Sequence, residues 1–175
     1  MDRFHAEHDA SAYGRVKRVL DVVFAGCGLI ATAPLMAVIG AAIWATMGRP
    51  VLFRQYRPGL GGEPFELVKF RTMRDEFDRK GRPIPQEERP TRLGYWLRRT
   101  SLDEIPELWT ILKGDMSLVG PRPLLMEYLP LYSPEQARRH DVKPGLTGLA
   151  QVMGRHLVDW EDRFTYDLLY CLLYT

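Results

Sequence analysis

Two adjacent carboxylates, Asp103 and Glu104, stand where the chain is predicted to enter a helix. The run from Ser101 to Glu104 has the S-x-x-E pattern of a capping box, in which both polar side chains bond free amides at a helix N-terminus. The same place suits phosphorus chemistry, because free amides and the positive helix end favour an ionised carboxylate and attract phosphate. An ionised aspartate can attack phosphorus and form an acyl phosphate, while a neighbouring glutamate relays a proton or orients the nucleophile. The local pattern leaves both the helix cap and the reactive pair open.

An arginine between two prolines, Arg122, has the features of a phosphate-binding side chain. The flanking prolines limit its backbone freedom, and a preset guanidinium group can bind phosphate through two parallel hydrogen bonds. The alternative is a rigid loop that carries a solvated arginine. The chain has no Walker loop of the form G-x-x-x-x-G-K-[ST], which argues against a nucleoside triphosphatase.

Two glycines, Gly145 and Gly148, follow in the run from Lys143 to Val152. Because glycine has no Cβ, this pattern is compatible with close approach of the backbone to a ligand. It is equally compatible with a plain turn that leads into a strand.

The composition limits the class of protein. A chain of 175 residues suits one domain with a modest core. The formal net charge of +2 argues against a nucleic-acid partner. The two cysteines, Cys27 and Cys171, form no C-x-x-C pair, which argues against a zinc site.

The N-terminal part contains a long apolar segment, since the 26 residues from Val22 to Met47 carry no charge. As a helix they would reach ~39 Å, enough to cross a hydrocarbon layer of ~30 Å. Pro34 lies near the middle and predicts a kink or a break. Basic residues flank the segment on both sides: Arg15, Lys17, Arg18, Arg49, Arg54 and Arg57. Lys and Arg prefer the cytoplasmic side, and if both flanks stay there the segment must enter and return through the same face. A re-entrant hairpin and a single-pass helix both remain open.

The remaining chain predicts short strands and amphipathic helices. Residues 51–53 and 65–70 read as two strands joined by the turn-rich run 57–62, which predicts a hairpin. Helices are predicted over four further segments. They are residues 92–99, a segment that starts near 102 or 106 and ends at 113, residues 133–139 and residues 160–170.

Together these motifs resemble those of the bacterial sugar transferases, also called monotopic phosphoglycosyl transferases. Five runs carry the resemblance in the same order and spacing, over roughly residues 13–167. They are Arg57-Pro58-Gly59, Lys69 to Met73, Ser101 to Glu104, Lys113 to Pro123 and Lys143 to Gly148. The length matches the minimal catalytic form of that family.

The resemblance implies a membrane-associated α/β fold. Its expected parts are a loose leader over residues 1–14, a re-entrant helix-break-helix over residues 15–48, and a cytoplasmic catalytic domain with interfacial helices over residues 49–175. The break would lie at Ala33-Pro34, where the family often has Ser-Pro, and the Thr32 hydroxyl would replace the missing serine. The apolar C-terminus stops where relatives usually continue, so it is either a natural short end or a truncation.

The resemblance also implies a reaction. Asp103 would attack a UDP-sugar, release UMP and carry the sugar phosphate until polyprenyl phosphate accepts it, with Glu104 as its catalytic partner. Mg²⁺ would bind Asp103 and the diphosphate. Four basic residues would bind phosphate or substrate: Lys69, Arg99, Arg122 and Arg155. The expected location is the cytoplasmic face of the bacterial inner membrane, at the first step of surface glycoconjugate synthesis, and a homodimer stays open. The rivals are a glycosyltransferase that releases UDP and a membrane adaptor without enzymatic activity.

Overall fold

The structure is a computed structural model that describes residues 12–77, 82–154 and 159–174. It confirms the predicted mixture of helices and strands. In chain order these are α1 (Ala12–Met47), β1 (Leu52–Pro58), β2 (Pro64–Phe70), α2 (Arg92–Thr100), α3 (Glu107–Lys113), β3 (Ser117–Val119), α4 (Pro134–Ala137), β4 (Gly145–Thr147), α5 (Leu149–Gly154) and α6 (Trp160–Tyr174). A 3-10 turn, Leu102–Glu104, lies between α2 and α3.

Helix α1 is one uninterrupted α-helix of 36 residues, which corresponds to a length of about 54 Å. By length and composition it is apolar enough to cross a membrane, with a mean hydropathy of 2.2 in its most apolar window. Residues 1–11 of the predicted leader lie outside the described residues, and the helix already begins at Ala12. Much of its surface exposes large apolar side chains, among them Val23, Phe24, Ile30, Val38 and Trp44. Helix α1 is therefore compatible with membrane association.

The predicted break at Ala33-Pro34 does not interrupt α1, since both residues lie exposed within the continuous helix. Pro34 has no N–H group and therefore leaves the Ile30 carbonyl without its usual helical donor. The Thr32 hydroxyl donates to the Gly28 carbonyl at 2.7 Å. It therefore does not replace the missing donor as the sequence predicted, and the re-entrant path stays a prediction.

Two apolar clusters fasten α1 to the hairpin of β1 and β2. The first cluster consists of Ala25, Phe65, Leu67, Ile111 and Met116. The second consists of Ile39, Ile43, Phe70 and Leu97. Each large apolar side chain that is buried in this way stabilises the fold by about 1.5–3 kcal/mol. Because both clusters contain residues of α1 and of β2, both halves of α1 pack on the same strand.

A buried aspartate in α1 fastens the helix to β3. Asp21 accepts a hydrogen bond from Ser117 Oγ at 2.8 Å and another from the Leu118 amide at 3.0 Å. The Lys17 ammonium contacts both Asp21 and Ser117. Helix α1 is thus joined to β3 by polar contacts, in addition to its apolar packing on β2.

Arg18 of α1 completes the C-terminal end of α3. Its guanidinium donates to the carbonyl oxygens of Ile111 and Leu112 at 2.6 and 2.7 Å. These carbonyls lie in the last turn of α3, where helix carbonyl groups lack intrahelical donors. The sequence marked Arg18 as a charge that flanks the apolar segment. In the structure this side chain also connects α1 to α3.

The hairpin and the helices agree with the sequence. Strands β1 and β2 pair antiparallel from Leu52 with Phe70 to Pro58 with Pro64, so both are longer at one end than predicted. Helices α2, α3 and α6 lie where the periodicity predicts them. The segment that follows Ser133 begins as α4, with a capping box between Ser133 and Gln136, and continues as a 3-10 turn.

The parallel pair of β3 and β4 is packed backbone against backbone. A Cβ at Gly145 would lie 2.1 Å from the Gly120 nitrogen, and a Cβ at Gly148 would lie 2.2 Å from the Gly120 carbonyl oxygen. These glycines therefore make room for a neighbouring chain segment. Close packing of chain segments is thus sufficient to account for both glycines, and their approach to a ligand stays a prediction.

A glycine in α2 generates a test of this packing. A Cβ at Gly94 would lie 1.9 Å from the Thr72 carbonyl oxygen, so Gly94→Ala must push α2 away from the segment after β2. We expect a loss of roughly 1–3 kcal/mol or more, measured as a lower thermal unfolding midpoint of the detergent-solubilised protein.

Gly26→Ala is the matched control, because it also changes a helical glycine but its Cβ would meet nothing within 4 Å. Equal unfolding midpoints for the two variants would contradict the close packing of α2 on Thr72.

Candidate active site

The Asp103–Glu104 pair lies on the 3-10 turn that joins α2 to α3. Ser101 precedes it in the left-handed backbone conformation, with φ at 57°, and ends α2. The predicted capping box is not formed, because the Ser101 side chain makes no cap hydrogen bond and the Glu104 carboxylate binds basic residues instead. Tertiary contacts, rather than the helix end, therefore decide the state of the two acids.

The Glu104 carboxylate is held between two basic side chains. Lys69 Nζ lies 2.8 Å from Glu104 Oε1. Arg122 contacts both oxygens, with Nη1 3.4 Å from Oε2 and Nη2 in closer contact with Oε1. Burial alone would raise the pKa of Glu104, but the hydrogen bonds and charges of Arg122 and Lys69 outweigh burial and lower it. The ionised Glu104 is therefore suited to orient its neighbours rather than to relay a proton.

Asp103 is a buried residue, 8% exposed. Burial raises its pKa and the negative charge of Glu104 raises it further, while Lys69 and Arg98 act in the opposite direction. The sequence predicted that free helix amides favour the ionised carboxylate. A backbone hydrogen bond does lower the pKa of Asp103, but burial outweighs it and the net direction is upward. A higher pKa makes the ionised carboxylate a better nucleophile, and a cation beside it would favour the ionised form.

A third acid, Glu107, completes the cluster and was not found from the sequence. It opens α3 and is 2% exposed. Its Oε1 lies 3.0 Å from Lys69 Nζ, an ion-pair distance without an aligned hydrogen bond. Burial raises the pKa of Glu107 to about 7, with Lys69 opposing the shift and Glu104 adding to it. No local signal marks this residue, because a glutamate in a first helical turn is common.

An open pocket of about 400 Å³ lies beside Glu104 and Arg122. Arg99, Arg122 and Glu104 line it, so the structure brings these three residues to one site. The other lining residues are Arg98, Ser101, Leu124, Ala150, Gln151, Arg163 and Asp167. Asp103 is not among the described lining residues, and Arg155 lies outside the described part of the chain. Four arginines against two acids give the lining an excess of positive charge, which suits an anionic substrate.

A buried ion pair supports the backbone of Arg122. Arg139 and Asp167 are each 2% exposed, and Arg139 Nη2 lies 2.7 Å from Asp167 Oδ2. The same nitrogen donates to the Arg122 carbonyl oxygen at 2.8 Å. Sequence reasoning missed this pair, because the two residues are separated by 28 positions and lie in no recognised motif.

The donor set limits the metal site. Within residues 12–77, 82–154 and 159–174, no group of three or more His, Cys, Asp or Glu side chains is arranged to hold a metal ion. Both Glu104 oxygens already face cations, so Asp103 is the carboxylate of the pair that is left to offer oxygens. Mg²⁺ is often bound by one or two carboxylates together with substrate phosphates. The residues therefore fit a magnesium ion shared with substrate better than a cage made of protein alone.

Comparison with known proteins assigns the chain to a family. The family model for bacterial sugar transferases matches residues 12–174. The chain belongs to the bacterial sugar transferase family. This confirms the resemblance that the motifs indicated and the predicted enzyme class, a transferase.

Three relatives illustrate the range of similarity. The uncharacterized sugar transferase EpsL of Bacillus subtilis (strain 168) is 52% identical over 155 residues, 89% of this chain and 77% of the relative. A UDP-glucose:undecaprenyl-phosphate glucose-1-phosphate transferase of Caulobacter vibrioides is 48% identical over 145 residues, 79% of this chain and 54% of the relative. The exopolysaccharide production protein ExoY of Rhizobium meliloti (strain 1021) is 35% identical over 174 residues, 90% of this chain and 77% of the relative. The chain thus spans about half of the Caulobacter protein and about three quarters of the other two.

The Glu107 carboxyl makes stability depend on pH. Its pKa is about 7 in the folded protein against 4.5 for the free side chain, so the folded state keeps a proton that the unfolded chain releases. The stability from this group is complete below about pH 4.5 and is lost as pH rises to 7, a loss of about 3 kcal/mol. Glu107→Gln carries no such proton and should remove most of that fall when unfolding is measured at pH 5 and pH 8.

Glu66→Gln is the control for this pH dependence, because Glu66 pairs with Arg54 on the exposed side of the hairpin. It should keep the wild-type dependence on pH. An unchanged dependence in Glu107→Gln would show that the buried carboxyl does not titrate between those values.

The Arg139–Asp167 pair should be required for stability as a pair. Asp167→Leu leaves the Arg139 charge buried without its partner, so we expect a loss of about 3–5 kcal/mol in chemical unfolding. The double variant Arg139→Met/Asp167→Leu removes both charges and should recover most of that loss. A single substitution that costs less than about 1 kcal/mol would contradict the buried pairing.

Proposed function

We propose that this chain transfers a sugar 1-phosphate from a UDP-sugar to polyprenyl phosphate and releases UMP. The observation that carries the proposal is the Asp103–Glu104 turn beside an arginine-lined pocket, with Glu104 clamped by Lys69 and Arg122. Relatives that are named UDP-glucose:undecaprenyl-phosphate glucose-1-phosphate transferases support the same reaction type. Sugar transfer to this lipid would begin the assembly of a surface polysaccharide.

The proposed reaction has two displacements at one phosphorus atom. An Asp103 carboxylate oxygen attacks the phosphorus that bears the sugar, and the bond from this phosphorus to the bridging oxygen breaks, so UMP leaves with that oxygen. A phosphate oxygen of polyprenyl phosphate then attacks the same phosphorus. The acyl phosphate bond breaks, Asp103 regains its carboxylate, and the product is a polyprenyl diphosphate sugar. Two steps through a covalent intermediate replace one difficult transfer.

The basic residues have distinct roles in this proposal. Arg122 lines the pocket beside Glu104, where fixed positive charge stabilises the charge that develops on transferring oxygens. Lys69 is not among the described residues that line the pocket, and it holds Glu104 from the other side. Arg99 lies on the pocket wall, with its guanidinium carbon 5.9 Å from the Trp96 ring centroid. Its proposed role is to bind phosphate oxygens of the substrate. Glu104 stays ionised and orients Asp103 through the shared turn. Arg155 is proposed to contact the nucleotide sugar.

Magnesium is the proposed cofactor. When bound, Mg²⁺ would supply positive charge to the diphosphate and promote ionisation of a nearby carboxyl group. Asp103 would hold it, because Glu104 is already occupied by Lys69 and Arg122. Burial, and then the charge of Glu104, raise the pKa of Asp103. A bound cation would lower this pKa again.

We propose that α1 associates with the membrane from the cytoplasmic side without placing its ends on opposite faces. Asp21 and Ile43 are about 33 Å apart along the helix, close to the hydrocarbon thickness. Both nevertheless contact the same catalytic part, Asp21 through β3 and Ile43 through β2. A straight crossing would draw this charged domain into the hydrocarbon layer, which is costly. The packing therefore argues against a straight crossing and keeps both ends of α1 on one side. A re-entrant path would in addition need a bend at Pro34 that the continuous helix does not have, and the proposed location is the bacterial inner membrane.

The released nucleotide separates the candidate functions. We would incubate the protein in lipid nanodiscs with Mg²⁺, undecaprenyl phosphate and a panel of UDP-glucose, UDP-galactose and N-acetylated UDP-hexosamines. Release of UMP supports the proposal. Release of UDP would indicate a glycosyltransferase that moves sugar without phosphate, and release of neither would indicate an adaptor.

Asp103→Asn should lower kcat by about a thousandfold or more, because an amide oxygen is a poor nucleophile. Mass spectrometry of the wild type with UDP-sugar alone should detect a sugar-phosphate adduct on Asp103, which the variant lacks. Asp75→Asn is the matched control, since the Asp75 side chain is 72% exposed and pairs with Arg71 away from the pocket lining. Normal turnover in Asp103→Asn would refute the covalent mechanism.

A further inference from the structure

Glu107 is the buried acid of the site to which the proposed reaction assigns no role. Its side chain points to Lys69 although it opens a helix, a position at which an acidic side chain is favourable while exposed to solvent. Burying a carboxyl group is costly, and an apolar side chain of similar volume often stabilises a fold as well as a buried ion pair does. Stability of α3 alone therefore does not account for this carboxyl.

The contacts of Lys69 indicate what Glu107 does. The Lys69 ammonium has three donors, and two carboxylates face it, Glu104 at 2.8 Å and Glu107 at 3.0 Å. The backbone of Lys69 is fixed between the buried Val68 and Phe70 of β2, but a lysine side chain is a flexible four-carbon stem. A hydrogen bond to Glu104 and an ion pair with Glu107, on different segments, therefore restrict the position of the ammonium, whereas Glu104 alone would leave it free to move.

The charges around Glu107 come from each segment that faces it. They are Arg57 of β1, Lys69 of β2, Glu104 of the 3-10 turn and Arg122 of the loop after β3. Arg122 holds Glu104 from the pocket side, where the guanidinium is 38% exposed, while Glu107 holds Lys69 in the interior. Glu104 is consequently held by Arg122 on the pocket side and by Lys69 on the interior side. The position of Lys69 in turn depends on Glu107.

We propose that Glu107 is a positioning residue for phosphoryl transfer, which holds the Lys69 ammonium against Glu104 and so fixes the turn that carries Asp103. The inference rests on the proposed function. Glu107 is not among the described residues that line the pocket, and its ion-pair partner is Lys69, so it acts through Lys69. Its loss should lower kcat while KM for the UDP-sugar changes little, because Arg99 and Arg122 of the pocket wall remain.

Three substitutions at this position test the role. Glu107→Leu removes the acceptor and should lower kcat by about ten- to a hundredfold, the cost of misplacing a group near the reacting atoms. Glu107→Gln keeps an acceptor oxygen at the same distance and should retain kcat within about threefold. Glu107→Asp shortens the reach by one methylene and should lose kcat as Glu107→Leu does, and it decides the matter if Glu107→Leu does not fold.

A double-mutant cycle tests whether Glu107 acts through Lys69. In a Lys69→Met background, Glu107→Leu should cost no more than about twofold in kcat, because the ammonium that it positions is gone. A further loss of tenfold or more there would overturn the inference. Glu66→Gln, on the exposed side of β2, is the control and should keep the wild-type kcat.

The assay measures UMP release and the Asp103 adduct per folded protein, with the folded fraction taken from thermal unfolding. Wild-type turnover with unchanged kcat in Glu107→Leu and Glu107→Asp would overturn this inference and leave the proposed function standing. A wild type that forms no adduct and releases no UMP would overturn the proposed function and this inference with it.

Discussion

The contact on which the site depends is the Glu104 carboxylate between Lys69 and Arg122. It joins three segments that are distant in the chain: strand β2, the turn after α2 and the loop after β3. Burial alone would favour the protonated acid, and the two cations reverse that preference because opposite charges interact strongly when water is excluded. The same contact sets the place of Asp103, since the two acids are consecutive on one turn.

Helix α1 packs on the segments that form the candidate site, although much of its surface is apolar and exposed. Ala25 and Ile43 are fully buried in clusters that also contain β2 residues, and Arg18 completes the end of α3. A helix that only anchored the protein would not need these contacts. Its packing connects this exposed apolar surface to the segments around the pocket, as the proposed transfer to a lipid phosphate would require.

Local patterns predicted the hairpin and the helices, because alternation, helical periodicity and turn residues act over short distances. The basic residues Lys69 and Arg99 were implied by the resemblance to the family. The local patterns failed where a long-range contact competed with a local one. The capping box at Ser101 is not formed, because Glu104 binds Lys69 and Arg122 instead, and Gly148 leaves room for the Gly120 backbone. Pro34 predicted a break, but a missing donor by itself does not end a helix that is packed on both sides of it.

The sequence by itself determined the chemical inventory: the Asp103–Glu104 pair, the arginines, the long apolar segment and membership of a transferase family. Residue type and spacing carry this information, because they do not depend on which segments meet. Tertiary structure alone decided which charges are paired and at what burial. Glu107 and the Arg139–Asp167 pair became visible only there, since their partners lie 28 or more positions away. Burial, which raises the pKa values of Glu107 and Asp167, is a property of the whole fold.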